Sequence, residues 1–171
     1  MKCAKCTNEA TIKYPNGDLC NSCFMDMLYK RVEKELRQHP FKKGESVLIV
    51  GELASHFIDH VNKIELFKVF AEESNENEDY DKIVIPWTAD DEADNFYEEL
   101  TSNKPNLKEN NKTIKLFKSI LDKELAEAAK ILKIEFTPKK RNSDVEKINK
   151  KYPTAKFGLV KSSEEIKKAL K

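Results

Sequence analysis

Four cysteines fall within the first 23 residues, as Cys3-x2-Cys6, thirteen intervening residues, then Cys20-x2-Cys23. Each CxxC turn aims two thiolates at one point, and two such turns complete a tetrahedral set of four sulfurs. The spacing is that of a small zinc ribbon or knuckle, with Cys3, Cys6, Cys20 and Cys23 as ligands and zinc as the expected metal. Four thiolates also suit iron. Two disulfides would need an oxidising compartment, and no apolar leader with a small-residue cleavage site follows Met1. Between the knuckles, Thr11-Ile12-Lys13-Tyr14 is strand-like and Pro15-Asn16-Gly17-Asp18 is a turn, so a short hairpin is expected. A segment this small has no core of its own, and the metal should supply most of its folding free energy. No cysteine follows Cys23. Once all four bind metal, no thiolate remains for nucleophilic catalysis or a persulfide relay.

The rest of the chain must position whatever else acts. Helical periodicity runs from Asn21 to about Gln38, with Phe24, Met27, Leu28, Val32 and Leu36 on one face. Pro40 and Gly44 punctuate a linker. Ser46 to Gly51 reads as a buried strand, Ala54 to Val61 as a helix, Ile64 to Ala71 and Lys82 to Pro86 as two further strands, and Asp90 to Leu100 as a helix. The acidic stretch Glu72 to Asp81 and the stretch Asn103 to Asn111 read as loops. Ile114 to Leu132 carries helical periodicity throughout, and Val145 to Lys150 and Glu164 to Leu170 predict shorter helices. Strands alternating with helices imply an α/β fold with a parallel sheet. The expected organisation is a zinc ribbon with its following helix over 1–40, an α/β domain over 41–135, and a basic helical extension over 136–171.

The 171 residues suffice for one domain with a small appendage. Hydrophobic residues make up 39% and charged residues 36%, but nine Phe, five Tyr and one Trp argue against long disorder. The longest apolar runs, such as Val47-Leu48-Ile49-Val50, are far too short to span a bilayer, so a soluble cytoplasmic protein is expected. The net charge of +1 conceals a segregation. Residues 72–103 hold one Lys against twelve acids, whereas residues 104–171 hold nineteen Lys/Arg against nine. A basic third of that size suits RNA or another polyanion, and equally a set of solvated helix faces.

Four further segments, taken in order after the cysteines, carry a resemblance. Phe24 and Lys30-Arg31 follow the second CxxC. Then come Val47-Leu48-Ile49-Val50-Gly51-Glu52-Leu53-Ala54-Ser55, Thr88-Ala89-Asp90-Asp91-Glu92-Ala93, and Ile114-Lys115-Leu116-Phe117 with Lys123-Glu124-Leu125. Together they resemble the second, non-catalytic subunit of the cytoplasmic complex that 2-thiolates wobble uridine 34 of tRNA. That resemblance implies a PP-loop-type domain, similar to adenine nucleotide hydrolases, in shortened form. It implies a heterodimer with a catalytic PP-loop thiolase subunit, contact with tRNA, and indirect dependence on a ubiquitin-like sulfur carrier. No membrane partner is implied.

The departures from the family pattern bear on activity. The PP-loop signature Ser-Gly-Gly-x-Asp-Ser lets backbone N–H groups and a helix N-terminus cradle pyrophosphate. Here the six positions read Val50, Gly51, Glu52, Leu53, Ala54 and Ser55. Glu52 would bring a carboxylate to the phosphates, a repulsion of about 4 kcal/mol at 4 Å and an effective dielectric of 20. Ala54 removes the signature carboxylate, so no cofactor site is expected at Gly51, Glu52, Ala54 and Ser55, and no catalytic residue is assigned. In the second pattern, Gly-His-Asn-x-Asp-Asp-x-x-Glu-Thr, the residues Asp90, Asp91 and Ala93 match, and Asp94-Asn95 replace Glu-Thr. Asp90 and Asp91 are expected to cap the helix that begins there. Lys30, Arg31, Lys139, Lys140 and Arg141 are the RNA-binding candidates. His56 and His60 lack the Glu of a zinc-protease motif and read as a helix-surface pair. Trp87 is either core or a stacking platform. The alternative function is a zinc-ribbon protein adaptor with no RNA role.

Overall fold

The computed structural model describes residues 1–71, 80–102 and 112–169. Residues 72–79, most of the stretch expected as an acidic loop, residues 103–111, and residues 170–171 lie outside the described residues. After the cysteine hairpin come α1 (Asn21–Leu36), β1 (Ser46–Val50), α2 (Glu52–Val61), β2 (Phe67–Ala71), β3 (Lys82–Thr88), α3 (Ala89–Thr101), β4 (Thr113–Phe117), α4 (Asp122–Leu132), α5 (Ser143–Lys151) and α6 (Ala155–Ala169). The four strands form one parallel sheet in the order β2-β1-β3-β4.

A run of four apolar residues makes β1 a strand buried on both faces, with Val47 to Val50 all buried. Successive side chains alternate across a sheet. Val47 and Ile49 accordingly join one large core with Phe24, Leu28 and Val32 of α1, Phe57 and Ile58 of α2, Leu116 of β4, and Leu125 and Ala128 of α4. Leu48 is buried outside that cluster, toward the opposite face. The chain leaves β1 for β2 on one side and later leaves β3 for β4 on the other. Right-handed crossovers then place α2 and α3 on opposite faces. The C-terminal ends of β1 and β3 are where the strand order reverses, and there an open α/β sheet forms a crevice.

One expected helix begins too early. Ile114 to Phe117 is the fourth strand, and α4 starts only at Asp122. Buried Ile114, Leu116, Phe117, Ile120 and Leu125 fit a helical template as well as a strand followed by a turn. Pairing with β3 decides the matter, through Ile83–Thr113, Val84–Ile114 and Ile85–Lys115. The terminal helix is also longer than its periodicity indicated, starting at Ala155. Its buried side is mostly polar, with Lys156, Ser163 and Lys167 beside Val160, so an apolar stripe could not reveal it.

Candidate functional site

The hairpin between the cysteine pairs forms as expected. Ile12 and Leu19 exchange backbone hydrogen bonds of 2.9 and 2.8 Å, and Gly17 N–H closes the turn on the Tyr14 carbonyl at 3.1 Å. Gly17 has φ +110°, and a Cβ there would lie 2.8 Å from the Ala4 Cβ, so the turn requires glycine. The Sγ atoms of Cys3, Cys6, Cys20 and Cys23 lie within 4.8 Å of one another. Cys6 and Cys20 are separated by 3.6 Å, close to the ~3.8 Å edge of a tetrahedron with metal–sulfur bonds of about 2.3 Å. The four sulfurs therefore fit one metal ion. Among the described residues no other group of three or more His, Cys, Asp or Glu side chains converges in this way.

Local structure favours thiolates here. Cys20 caps α1, its sulfur accepting from the Cys23 N–H at 3.5 Å at the positive end of the helix. Hydrogen bonds from backbone N–H groups, that of Cys20 first, lower the Cys3 thiol to about 6. The other sulfurs, Cys6 first, push Cys23 up to about 12. Four negative sulfurs cannot share so small a volume unaided, and a cation resolves the conflict.

The hairpin is fastened to the sheet domain by a polar triad. Tyr14 Oη donates to Glu124 Oε1 at 2.7 Å. Arg31 Nη1 donates to both Glu124 oxygens at 3.0 and 3.1 Å, and its Nη2 donates to Tyr14 Oη at 2.6 Å. Glu124 Oε2 also accepts from the Leu121 N–H at 2.9 Å, capping α4. The pairing of Tyr14 with Glu124 leaves no sequence signal, because 110 residues separate them.

The crevice holds about 220 Å³ and is lined on one side by Gly51, Glu52, Leu53 and Ala54, and on the other by Pro86, Thr88, Asp91 and Asp122. Gly51 has φ +85°, so the turn from β1 into α2 suits glycine. Glu135, Phe136, Thr137, Lys139 and Arg141, from the segment after α4, complete the wall. Arg141 occupies the acidic side. Its Nη1 donates to Asp91 Oδ1 at 2.9 Å and lies 3.6 Å from Asp94, and its Nε donates to Asp122 Oδ2 at 2.7 Å. Its Nη2 donates to the same Asp122 oxygen. Lys139 Nζ adds a bond to Asp91 Oδ1 at 3.0 Å.

Burial pushes the Asp91 carboxyl up, but the Thr88 N–H, Arg141 and Lys139 outweigh it and hold the group below its ordinary value. For Asp94 and Asp122 burial prevails, and both are raised.

The acidic first turn of α3 works differently from the expected simple cap. Asp91 does cap α3, in a reciprocal box with Thr88. Asp90 instead accepts the Asp122 N–H at 2.7 Å, capping α4, and pairs with Lys156. Helix geometry turns Asp90 away from Asp91 by about 100° per residue, so the two carboxylates serve different neighbours. Glu92 is fully buried and accepts from Trp87 Nε1 at 2.9 Å, Lys115 Nζ at 2.6 Å, Ser163 Oγ at 3.0 Å and Lys167 Nζ at 3.0 Å. Burial opposes its ionisation, yet Lys115 first, and then Lys167, lower it to about 2. Each of three successive acids thus takes a cation from the C-terminal region: Lys156 on Asp90, Arg141 on Asp91 and Lys167 on Glu92.

Among the RNA candidates, Lys30 is exposed and pairs with Asp26 at 2.7 Å, while Lys140 is exposed with no ion-pair partner among the described residues. The Arg31, Lys139 and Arg141 head groups bind carboxylates within the chain. Trp87 is half-buried, with Lys115 and Lys139 over its ring at 4.7 and 5.3 Å. His56 accepts or donates a 3.0 Å bond with Tyr29 Oη, and the His60 ring stacks on Tyr29 at 3.6 Å. Both histidines are occupied in joining α2 to α1.

No protein-family model matches the sequence, and neither does any curated protein. The structure is similar to the U34-tRNA thiolase NcsA from Methanococcus maripaludis, solved with its 4Fe–4S cluster. The match has a TM-score of 0.68 at 16% identity and covers 98% of this chain and 87% of that one. The fold is PP-loop-like. At that identity the similarity speaks for the architecture, an α/β domain with four parallel strands and a cysteine cluster at its N-terminus. Among the described residues no helix is long and apolar enough to cross a membrane.

Proposed function

We propose that this protein is a non-catalytic subunit of a tRNA wobble-uridine 2-thiolation complex, pairing with a catalytic PP-loop thiolase and helping to hold tRNA. The observation that carries the reading is the crevice at the ends of β1 and β3. Its acidic wall is occupied by the chain's own Arg141, bound to Asp91 and Asp122. Glu52 also lines that crevice, in the turn from β1 into α2 where a pyrophosphate cradle needs bare N–H groups. A fold shared with a U34-tRNA thiolase supports the pathway. The resident metal in this reading is zinc, because four thiolates close a tetrahedral site and leave no open position for substrate. Cys3, Cys6, Cys20 and Cys23 would hold it, and its contribution is folding energy rather than bond chemistry. The partner subunit then activates the uridine and accepts sulfur from the carrier in the cytoplasm.

The test is the 2-thiouridine content of bulk tRNA from cells depleted of this protein, with complementation by wild type and by Cys20→Ser. Loss on depletion, restored only by wild type, is the expected result. Normal thiolation would overturn the reading and leave a metal-knuckle protein adaptor in its place. Metal analysis of the purified chain should return one zinc and no iron.

A further inference from the structure

The internal ion pairs of Arg31 and Arg141 direct attention to cations that remain available. These gather at the corner between α5 and α6. Lys147, Lys150 and Lys151 lie exposed on the last two turns of α5, and Lys161 lies exposed on α6. Lys150 and Lys151 have no carboxylate partner among the described residues. Lys147 and Lys161 pair only with Asp144 and Glu165 on their own helices, in solvated contacts that a phosphate can replace.

Two rings stand in this positive field. Tyr152 is 57% exposed at the end of α5, and Phe157 is 40% exposed in the first turn of α6. Lys151 Nζ lies 5.5 Å from the Tyr152 ring centre. Next to Phe157, Gly158 is a helical glycine whose added Cβ would meet no atom within 4 Å. Packing therefore does not demand glycine there, and the bare backbone lets another molecule approach closely. The opposite side of α6 is committed to α3 through Lys156, Ser163 and Lys167.

We infer that the α5–α6 corner is a stacking platform for unpaired RNA bases, with Tyr152 and Phe157 as the rings and Lys147, Lys150, Lys151 and Lys161 facing the phosphates. The inference rests on the RNA part of the proposed function and assigns it to residues outside the earlier candidates. Exposed rings beside solvated lysines, two of them without a carboxylate partner among the described residues, match a single strand, whose bases offer π faces and whose backbone offers charge. Duplex RNA hides those faces. An acidic protein segment would satisfy the lysines and leave the rings without a role.

The experiment uses the full metal-loaded chain and a labelled twelve-nucleotide oligouridine, read by fluorescence anisotropy across a salt series. A duplex RNA of equal length and polyglutamate serve as competitors. Tyr152→Leu and Phe157→Leu keep apolar bulk at exposed positions and remove the π face. Each should weaken single-strand binding by about tenfold. Lys150→Gln with Lys151→Gln should flatten the log–log salt slope by about 1.4, two released counterions on a single strand. Wild-type affinity in both leucine variants, equal affinity for duplex, or equally effective displacement by polyglutamate would each overturn the inference. Thiolation lost on depletion together with RNA binding unchanged by the leucine variants would retain the proposed function and discard this surface. Ring-dependent RNA binding with normal thiolation would do the reverse.

Discussion

The N-terminal knuckle and the C-terminal helices are both small additions to one parallel sheet, yet opposite physics attaches them. The knuckle is held by four sulfurs converging on one point, and the helix that follows it inserts Phe24, Leu28 and Val32 into the main core. The C-terminal helices bury few large apolar side chains, Val145 and Val160 among them. They are held by Arg141, Lys156 and Lys167 on the acids of one helical turn. A metal centre concentrates its free energy in one event, whereas an ion-paired surface divides it among groups that must each be desolvated and matched. The first attachment should respond to chelators and the second to charge deletion and acid.

Metal removal gives the largest expected effect. Apparent metal-binding free energies for small structural zinc sites are about 10–16 kcal/mol, so chelation or Cys20→Ser should melt residues 1–20. Amide exchange would show that region losing protection while α6 keeps its own. Protection unchanged after verified metal removal would mean the hairpin folds without it.

Glu92→Gln should follow in size. It leaves Lys115 and Lys167 without their shared anion at a fully buried position, a change that typically costs about 3–5 kcal/mol. α6 should detach, seen as lost exchange protection over residues 155–169, while the knuckle stays metal-loaded. An undisturbed α6 would show that its other contacts suffice.

Acid provides a graded version of the same test. Glu92 is lowered from 4.5 to about 2 in the folded state. Its contribution is present above the unfolded value and declines as pH falls through the folded one. Docking of α6 should therefore weaken as pH falls from about 4.5 to 2. Trp87, the sole tryptophan, donates to Glu92 and reports the change by fluorescence. A flat signal across that window would remove Glu92 from the attachment. Lys30→Gln marks the small end. Lys30 is an exposed i,i+4 partner of Asp26, and its loss should leave the Tm unchanged.

Local chemistry was the legible part. The cysteine spacing announced four converging sulfurs fit for a metal, the apolar run at β1 announced a buried strand, and the acids at Asp90 and Asp91 announced the start of α3. These features depend on neighbours a few residues apart, where sequence and geometry are nearly equivalent. The apolar spacing of Ile114 to Leu132 satisfies a single helix as well as a strand, turn and helix, and only pairing with β3 chooses between them.

The charged side chains define what tertiary structure alone decided. Composition showed an acidic segment followed by a basic one, but two neighbouring aspartates could not be told apart. One caps its own helix and the other caps α4, some thirty residues on. Nor could Arg141, bound in a half-buried acidic wall, be distinguished from Lys140 beside it, which stays exposed to solvent. The sequence by itself determined the candidate ligand set, most of the elements and the overall segregation of charge. Which charges meet each other and which remain free for a partner was decided by the fold. Coulomb interactions depend on distance and burial, and both arise only when distant segments pack.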